Sequence, residues 1–172
     1  MFLHVTRSHY LTGSYTTPEE RDTSINSILL EVAVKRIDLD YNQRCADEPE
    51  KGHNRWHPDI PPAVRAEPGE EVILQTRNAF DGGITPTSVA DDLRNANLNV
   101  VHPLTGPVYV EGAEPGDLLE VNILEIEPAT WGFTSIIPGF GFLRDLFLDP
   151  YLVHWNIGGG YAESPQLPGV RI

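Results

Sequence analysis

The chain has 172 residues, 40% of them hydrophobic and 22% charged, a composition that supports one packed domain and argues against wholesale disorder. Asp and Glu number 25 against 12 Lys and Arg, a formal charge of -13. No basic cluster offsets that charge locally, so phosphate backbones and anionic membrane surfaces are repelled, and neither nucleic acid nor membrane is an expected partner.

The single cysteine, Cys45, permits no internal disulfide. No stretch reaches the roughly 18 apolar residues of a membrane span. Met1 to Leu11 lack the continuous apolar run of a signal peptide. A cytoplasmic location is the expectation.

The 15 glycines and 15 prolines are dispersed, which favours short strands punctuated by turns over a helical bundle. Residues 1–26 show no clear period and read as a flexible lead, with Thr17-Pro18 suited to starting a short surface helix. Residues 27–172 read as a β-rich portion. Alternation at Val32-Ala33-Val34-Lys35 favours strand within Ile25 to Leu39, and residues 40–52 form a loop.

Strands are expected near 64–66 and 71–77, joined by the turn Glu67-Pro68-Gly69-Glu70, with Pro at the second position and Gly at the third. Asp81-Gly82-Gly83 ends the second strand, and residues 89–97 suit one or two helical turns. Strands near 107–111 and 118–126 flank Glu114-Pro115-Gly116-Asp117. The last is the clearest alternation in the chain, with Leu119, Val121 and Ile123 on one face and Glu120, Asn122 and Glu125 set against them. The two Glu-Pro-Gly-acid units read as ordinary strand-entry turns, since two copies do not make a repeat architecture.

Beyond residue 127, Trp131-Gly132-Phe133, Pro138 to Phe142 and Asn156 to Gly160 read as aromatic and glycine-rich loops, with a short helix over Phe142–Phe147. Pro168 to Ile172 read as the apolar end of an interrupted chain. The fold class expected is mainly β, a sandwich or barrel-like core with short helices and long Gly/Pro-rich loops.

Three places could carry chemistry. His53-Asn54-Arg55-Trp56-His57-Pro58-Asp59 is a rigid loop, because Pro58, Pro61 and Pro62 prevent a helix. Its plain structural account pairs Arg55 with Asp59, packs Trp56 and leaves His53 and His57 to local hydrogen bonds; loops held by rigid scaffolds are also where function concentrates. Asp81, before two glycines, is either a turn residue or a carboxylate where backbone can approach a ligand. His102 and Glu111 bracket one short strand. They suit a metal site or a base with its orienting partner, while Glu111 could equally accept backbone N–H bonds from the next turn.

Asp91 and Asp92 suit a solvated face or a cap. Cys45, near Asp47, Glu48 and Glu50, is a poor nucleophile because negative neighbours disfavour the thiolate. Nucleophile-elbow, P-loop and dinucleotide motifs are absent, and Gly158-Gly159-Gly160 is a weak phosphate cradle.

Three strings together resemble the acetamidase/formamidase family: His53 to Pro62, His102 to Ile123 and Trp131 to Thr134. The first is the more diagnostic of the formamidase branch, the second is family-wide, and the similarity runs from about Val32 to Ile172, which corresponds to the N-terminal part of a longer family chain. The resemblance implies hydrolysis of formamide, acetamide or a related lactam to a carboxylate and ammonia, on a mainly β fold that forms a homo-oligomer.

Carried over residue by residue, the resemblance assigns Asp81, Glu111 and, less firmly, His102 to catalysis. It also implies a divalent metal, zinc by preference, held by Asp81, His102 and Glu111, with His53, His57 and Trp131 on the substrate or loop side. Two other expectations stand beside it. One is an inactive fragment or subunit that needs a complementary C-terminal chain. The other is a non-catalytic β domain that stacks a small ligand on Trp56, Trp131 and Trp155.

Overall fold

The computed structural model describes residues 2–7, by their backbone, and residues 34–172. Eleven strands run in chain order among the described residues. β1 (Phe2–Arg7), β2 (Lys35–Ile37) and β3 (Gly52–His53) precede β4 (Val64–Ala66) and β5 (Glu71–Leu74). β6 (Leu104–Thr105), β7 (Val108–Val110) and β8 (Leu119–Glu125) follow, and β9 (Trp131–Ile136), β10 (Tyr151–Gly158) and β11 (Tyr161–Glu163) complete the set. Short 3-10 helices at Cys45–Asp47 and Ala90–Asn95 are the helical elements among the described residues. The fold is mainly β, as the alternation and turn chemistry lead one to expect.

The strands form a four-stranded sheet in the order β2-β5-β1-β8, a three-stranded sheet β11-β10-β9 and two pairs, β3-β6 and β4-β7. The strands expected near 64–66, 71–77, 107–111 and 118–126 appear as β4, β5, β7 and β8. β2 holds part of the stretch Ile25 to Leu39; its remainder, and the helix expected at Thr17-Pro18, lie outside the described residues.

The two Glu-Pro-Gly-acid turns share one local structure. The Glu70 N–H donates to Glu67 O and the Asp117 N–H to Glu114 O, each at 3.0 Å. Gly69 and Gly116 take φ of 93° and 105°, a conformation that costs glycine little. In each turn the fourth residue's carboxylate also accepts from the first residue's N–H, at 2.7 Å for Glu70 and 2.8 Å for Asp117. The flanking strands sit side by side: β4 runs parallel to β7 from Val64↔Val108 to Ala66↔Val110, and β5 and β8 lie antiparallel on either side of β1.

Two apolar cores result. Ile37, Ala66, Val72 and Leu74 pack with Leu39, Ala63, Val64 and Val108 beneath the first strands. Val72 is fully buried, worth about 1.5–3 kcal/mol relative to exposure. The second core joins Phe80, Ile84, Leu93 and Leu152 to Trp131, Phe133 and Ile137.

That second core corrects the expectation of loops beyond residue 127. Trp131–Ile136 and Tyr151–Gly158 pair antiparallel over six registers, and Tyr161–Glu163 adds a third strand. Aromatic and glycine residues masked the alternation that burial against Phe80 and Leu93 enforces. The glycine run is the β10–β11 turn, with Gly159 and Gly160 at φ 62° and 85°, the pair of positive angles that a tight hairpin requires. Phe142–Phe147 forms a single helical turn, in which Leu143 O accepts from the N–H groups of Leu146 and Phe147, and not a helix.

β8 departs most from its sequence pattern. All seven residues are exposed, on both faces.

Candidate functional site

Asp81 sits in a compact double turn built by Asn78. The Asn78 side-chain oxygen accepts from the N–H groups of Phe80 at 3.0 Å and Gly82 at 3.1 Å, while Asn78 O accepts from Asp81 N at 3.0 Å. The chain then closes again through Gly83 N–H to Phe80 O at 2.8 Å. This geometry forces Asp81 to φ 51°, and His102 adopts φ 58°. Among the described residues these are the non-glycine residues with positive φ. Such backbone costs about 1–2 kcal/mol for an L-residue and clusters at functional positions. The His102 N–H donates to Ala79 O at 2.8 Å, which fastens the two turns together.

Beneath Asp81 lies a buried charge network. The Asp81 side chain is 3% exposed, and those of Arg77 and Glu48 are 6%. Asp81 Oδ2 accepts from the Cys45 N–H at 2.8 Å, and the Arg44 guanidinium donates to Asp81 O. Arg77 donates to Glu48 Oε2, to Gln43 O at 2.6 Å and to Asp40 O at 3.2 Å. Its Nε lies 3.6 Å from Asp81 Oδ1, an ionic contact beyond hydrogen-bond range. Among the described residues Asp81 Oδ1 is the buried side-chain oxygen without a hydrogen bond. A buried carboxylate oxygen left with only a distant cation is costly to keep unless it serves something further.

Glu48 also accepts from Lys51, whose hydrogen bond is the largest influence holding its carboxyl below the ordinary value. The Asp40 N–H and the charges of Lys51 and Arg77 add to this, against the opposing effect of desolvation. Burial pushes the Cys45 thiol up, the negative charges of Asp81 and Glu48 adding to it while Arg77 opposes. The poor nucleophile expected from the sequence is therefore poor first because it is buried, with Asp81 as the main charged neighbour.

His102 is exposed and Asp81 is buried, so the two fastened turns carry one solvent-facing residue and one enclosed carboxylate. A cavity of about 10 Å³ lies between Cys45, Glu48, Arg77 and the Pro103-Leu104-Thr105 segment. It has room for one water and none for an amide, and neither Asp81 nor His102 lines it. A larger cavity of about 400 Å³, lined by Asn156, Glu163 to Pro165 and Pro168 to Arg171, contains none of the candidate residues.

Glu111 is engaged elsewhere. Its carboxylate takes two hydrogen bonds from Arg65, at 2.6 and 3.1 Å, across the β4–β7 pair. Arg65 draws its carboxyl below the ordinary value, chiefly through those bonds. Its N–H donates to Ala66 O at 2.9 Å.

No group of three His, Cys, Asp or Glu placed to hold a metal ion exists among the described residues. Asp81, His102 and Glu111 therefore do not form the three-ligand set that zinc would need. Asp81 Oδ1 is one donor without a hydrogen bond, and one donor is not a site.

The loop after β3 keeps its histidines in local bonds. His53 Nδ1 meets Arg55 O at 2.8 Å and His57 Nδ1 accepts from the Asp59 N–H at 3.2 Å. Arg55 bonds to Asn54 O and Asn99 O, so the Arg55–Asp59 pair does not form. Nor does Trp56 pack: it is 89% exposed.

Trp131 is part of the second core instead of a free surface. Its Nε1–H donates to His154 Nδ1 at 3.1 Å, and His154 Nε2–H reaches Ser88 O at 2.9 Å. Trp155 is buried and donates to Thr134 Oγ1 at 2.8 Å. Stacking of a ligand on three tryptophans is thus left with Trp56 alone.

Sequence reasoning missed Arg77, Glu48, Asn78 and His154. The first two look like surface charges in the sequence, and only Asn78, three residues before Asp81 with two glycines beyond, carried a turn signal. It read Asp91 and Asp92 as a solvated face or a cap: the Asp92 carboxylate accepts from the Val89 N–H at 2.8 Å, while exposed Asp91 pairs with Arg94.

The matches to known proteins fall on these segments. Residues 38–172 match the model of the acetamidase/formamidase family. An acetamidase of Mycolicibacterium smegmatis is 40% identical over 146 residues, which span 77% of this chain and 36% of that one. A formamidase of Methylophilus methylotrophus is 37% identical over 141 residues, 78% of this chain and 35% of that one. The solved structure of a gamma lactamase from Delftia acidovorans superposes with a TM-score of 0.74 at 41% identity, over 80% of this chain and 35% of the other. This chain spans about a third of the length of the relatives it matches. It belongs to the acetamidase/formamidase family.

Proposed function

We propose that the chain carries part of an amide-hydrolysing site, acting on formamide, acetamide or a related small lactam to give a carboxylate and ammonia. The observation that supports this best is the hydrogen bond that fastens the strained turn of exposed His102 to that of buried Asp81, whose Oδ1 lacks a hydrogen bond. Relatives that share these segments are named acetamidase, formamidase and gamma lactamase.

The reaction needs water to add to the amide carbon, a base to take its proton, and an acid to protonate the departing nitrogen as the C–N bond breaks. His102 is the reachable group for moving that proton. Asp81 is the fixed carboxylate of the adjoining turn. Glu111, kept ionised by Arg65, can accept a hydrogen bond and does not serve as the acid. A divalent metal remains part of the family expectation, and no step is routed through it because the described residues do not assemble its ligands.

The test is ammonia release from formamide and acetamide, by the chain alone and together with the polypeptide that makes up the rest of the family's length. Release that disappears in both Asp81→Asn and His102→Gln supports the assignment. Release unaltered by either change removes these residues from the site, and no release from any small amide in the combined sample sinks the amidase proposal.

A further inference from the structure

We infer that β8 is a docking strand for the polypeptide that forms the remaining two thirds of the family's length. The inference rests on family membership and not on the amidase chemistry. Among the described residues β8 is the end strand of its sheet, hydrogen-bonded to β1 along one edge. The other edge therefore presents main-chain N–H and C=O groups of the kind that templates pairing with a further strand.

Its side chains carry the same message. Leu119, Val121 and Ile123 on one face are 45%, 51% and 56% exposed, and Leu124 on the other is exposed as well. Alternating apolar residues bury one face in a finished sheet, and here neither is buried. A second apolar stretch, Phe140 to Leu148, is exposed on the β9–β10 connection. Large apolar side chains left exposed in runs like these mark interaction surfaces in soluble proteins.

Three occupants compete. A second copy of this chain would bring Glu120 and Glu125 of two β8 strands, and two bodies of charge -13, against each other, which like-charge repulsion disfavours. Residues 8–33 are too few to cover the free edge, both faces of β8 and the Phe140 to Leu148 stretch together. The remaining family length is the occupant of adequate size, since relatives matched over these same segments extend to about three times this span. Whether it follows in the same polypeptide or comes from another, the surface asked of it is the same: an extended apolar strand for the edge and apolar side chains for the faces.

The experiment supplies that occupant in trans. The chain is mixed with the portion of the Mycolicibacterium smegmatis acetamidase lying outside the match, and complex formation is followed by light scattering on a sizing column. A one-to-one complex is expected, in which β8 amides become slow to exchange with deuterium. The double change Val121→Asp with Ile123→Asp should remove it while the emission of buried Trp155 is unchanged, because β8 side chains lie outside both cores. Absence of a complex, a complex indifferent to those changes, a homodimer protected at β8, or a monomer whose β8 edge is already protected would each overturn the inference. Binding is scored without any amide, so its failure leaves the amidase proposal to its own assay.

Discussion

Asp81 and His102 both hold left-handed backbone, at φ 51° and 58°, and the hydrogen bond from His102 N–H to Ala79 O ties their turns into one unit. Neither residue is glycine, although glycine would relieve the strain at both positions. The side chains are what the strain retains.

Substitution at Asp81 separates shape from charge. Asn tolerates left-handed backbone and keeps an acceptor for the Cys45 N–H, so Asp81→Asn should melt within a few degrees of the parent chain. Asp81→Ala leaves that buried donor without its acceptor and should lose about 1–3 kcal/mol. Both should lower amide hydrolysis by about 100-fold or more, the scale of a lost proton-transfer group. Thermal melts beside ammonia assays decide it.

At His102 stability and activity should move in opposite directions. His102→Gly removes the strain and should leave melting unchanged or raise it, while abolishing hydrolysis. His102→Val places a β-branched residue at positive φ and should cost about 1–2 kcal/mol. Equal melting temperatures for the Gly and Val variants would show that the left-handed geometry is not held in solution.

The acid limb of stability should depend on Glu48. Its carboxyl is held below the ordinary value by Lys51 first, then by the Asp40 N–H and Arg77. A folded-state pKa below the unfolded one gives stability that is fully present above the unfolded value, near pH 4.3 for Glu. That stability is lost as pH falls through the folded value. Glu48→Gln should therefore lower the melting temperature at neutral pH and flatten its decline between about pH 5 and pH 3. An unchanged slope would show that other carboxylates with lowered values, such as Glu70 and Glu111, carry the acid response.

Cys45 should be inert in the folded protein. It is buried, its thiol is pushed up, and its Sγ would lie 3.3 Å from a Cβ placed at Gly52. Iodoacetamide at mildly alkaline pH should label it only after denaturant is added. Gly52→Ala should expose it, since the new methyl would sit 2.8 Å from Leu104 O and force β3 from β6. Rapid labelling of the unaltered native chain would refute the buried placement.

The sequence by itself determined the strands β4, β5, β7 and β8 and the two turns that lead into β5 and β8. Those signals are local: side-chain alternation fixes which residues share a face, and Pro-Gly pairs fix where the backbone reverses. Its signature strings also carried the family.

Tertiary structure decided the rest. Arg77 enters the interior because the backbone oxygens of Asp40 and Gln43 and the carboxylate of Glu48, distant from it in sequence, accept its N–H groups. Glu111 turns to Arg65 because β4 lies parallel to β7, a pairing between segments more than forty residues apart. Trp131 becomes a core residue once His154, across the β9–β10 pair, accepts its N–H. Burial and partnership are properties of where distant segments meet, and local pattern states only which residues are ready to be buried. β8 shows the difference, with its apolar face legible in the sequence and its exposure fixed by position at the edge of a sheet.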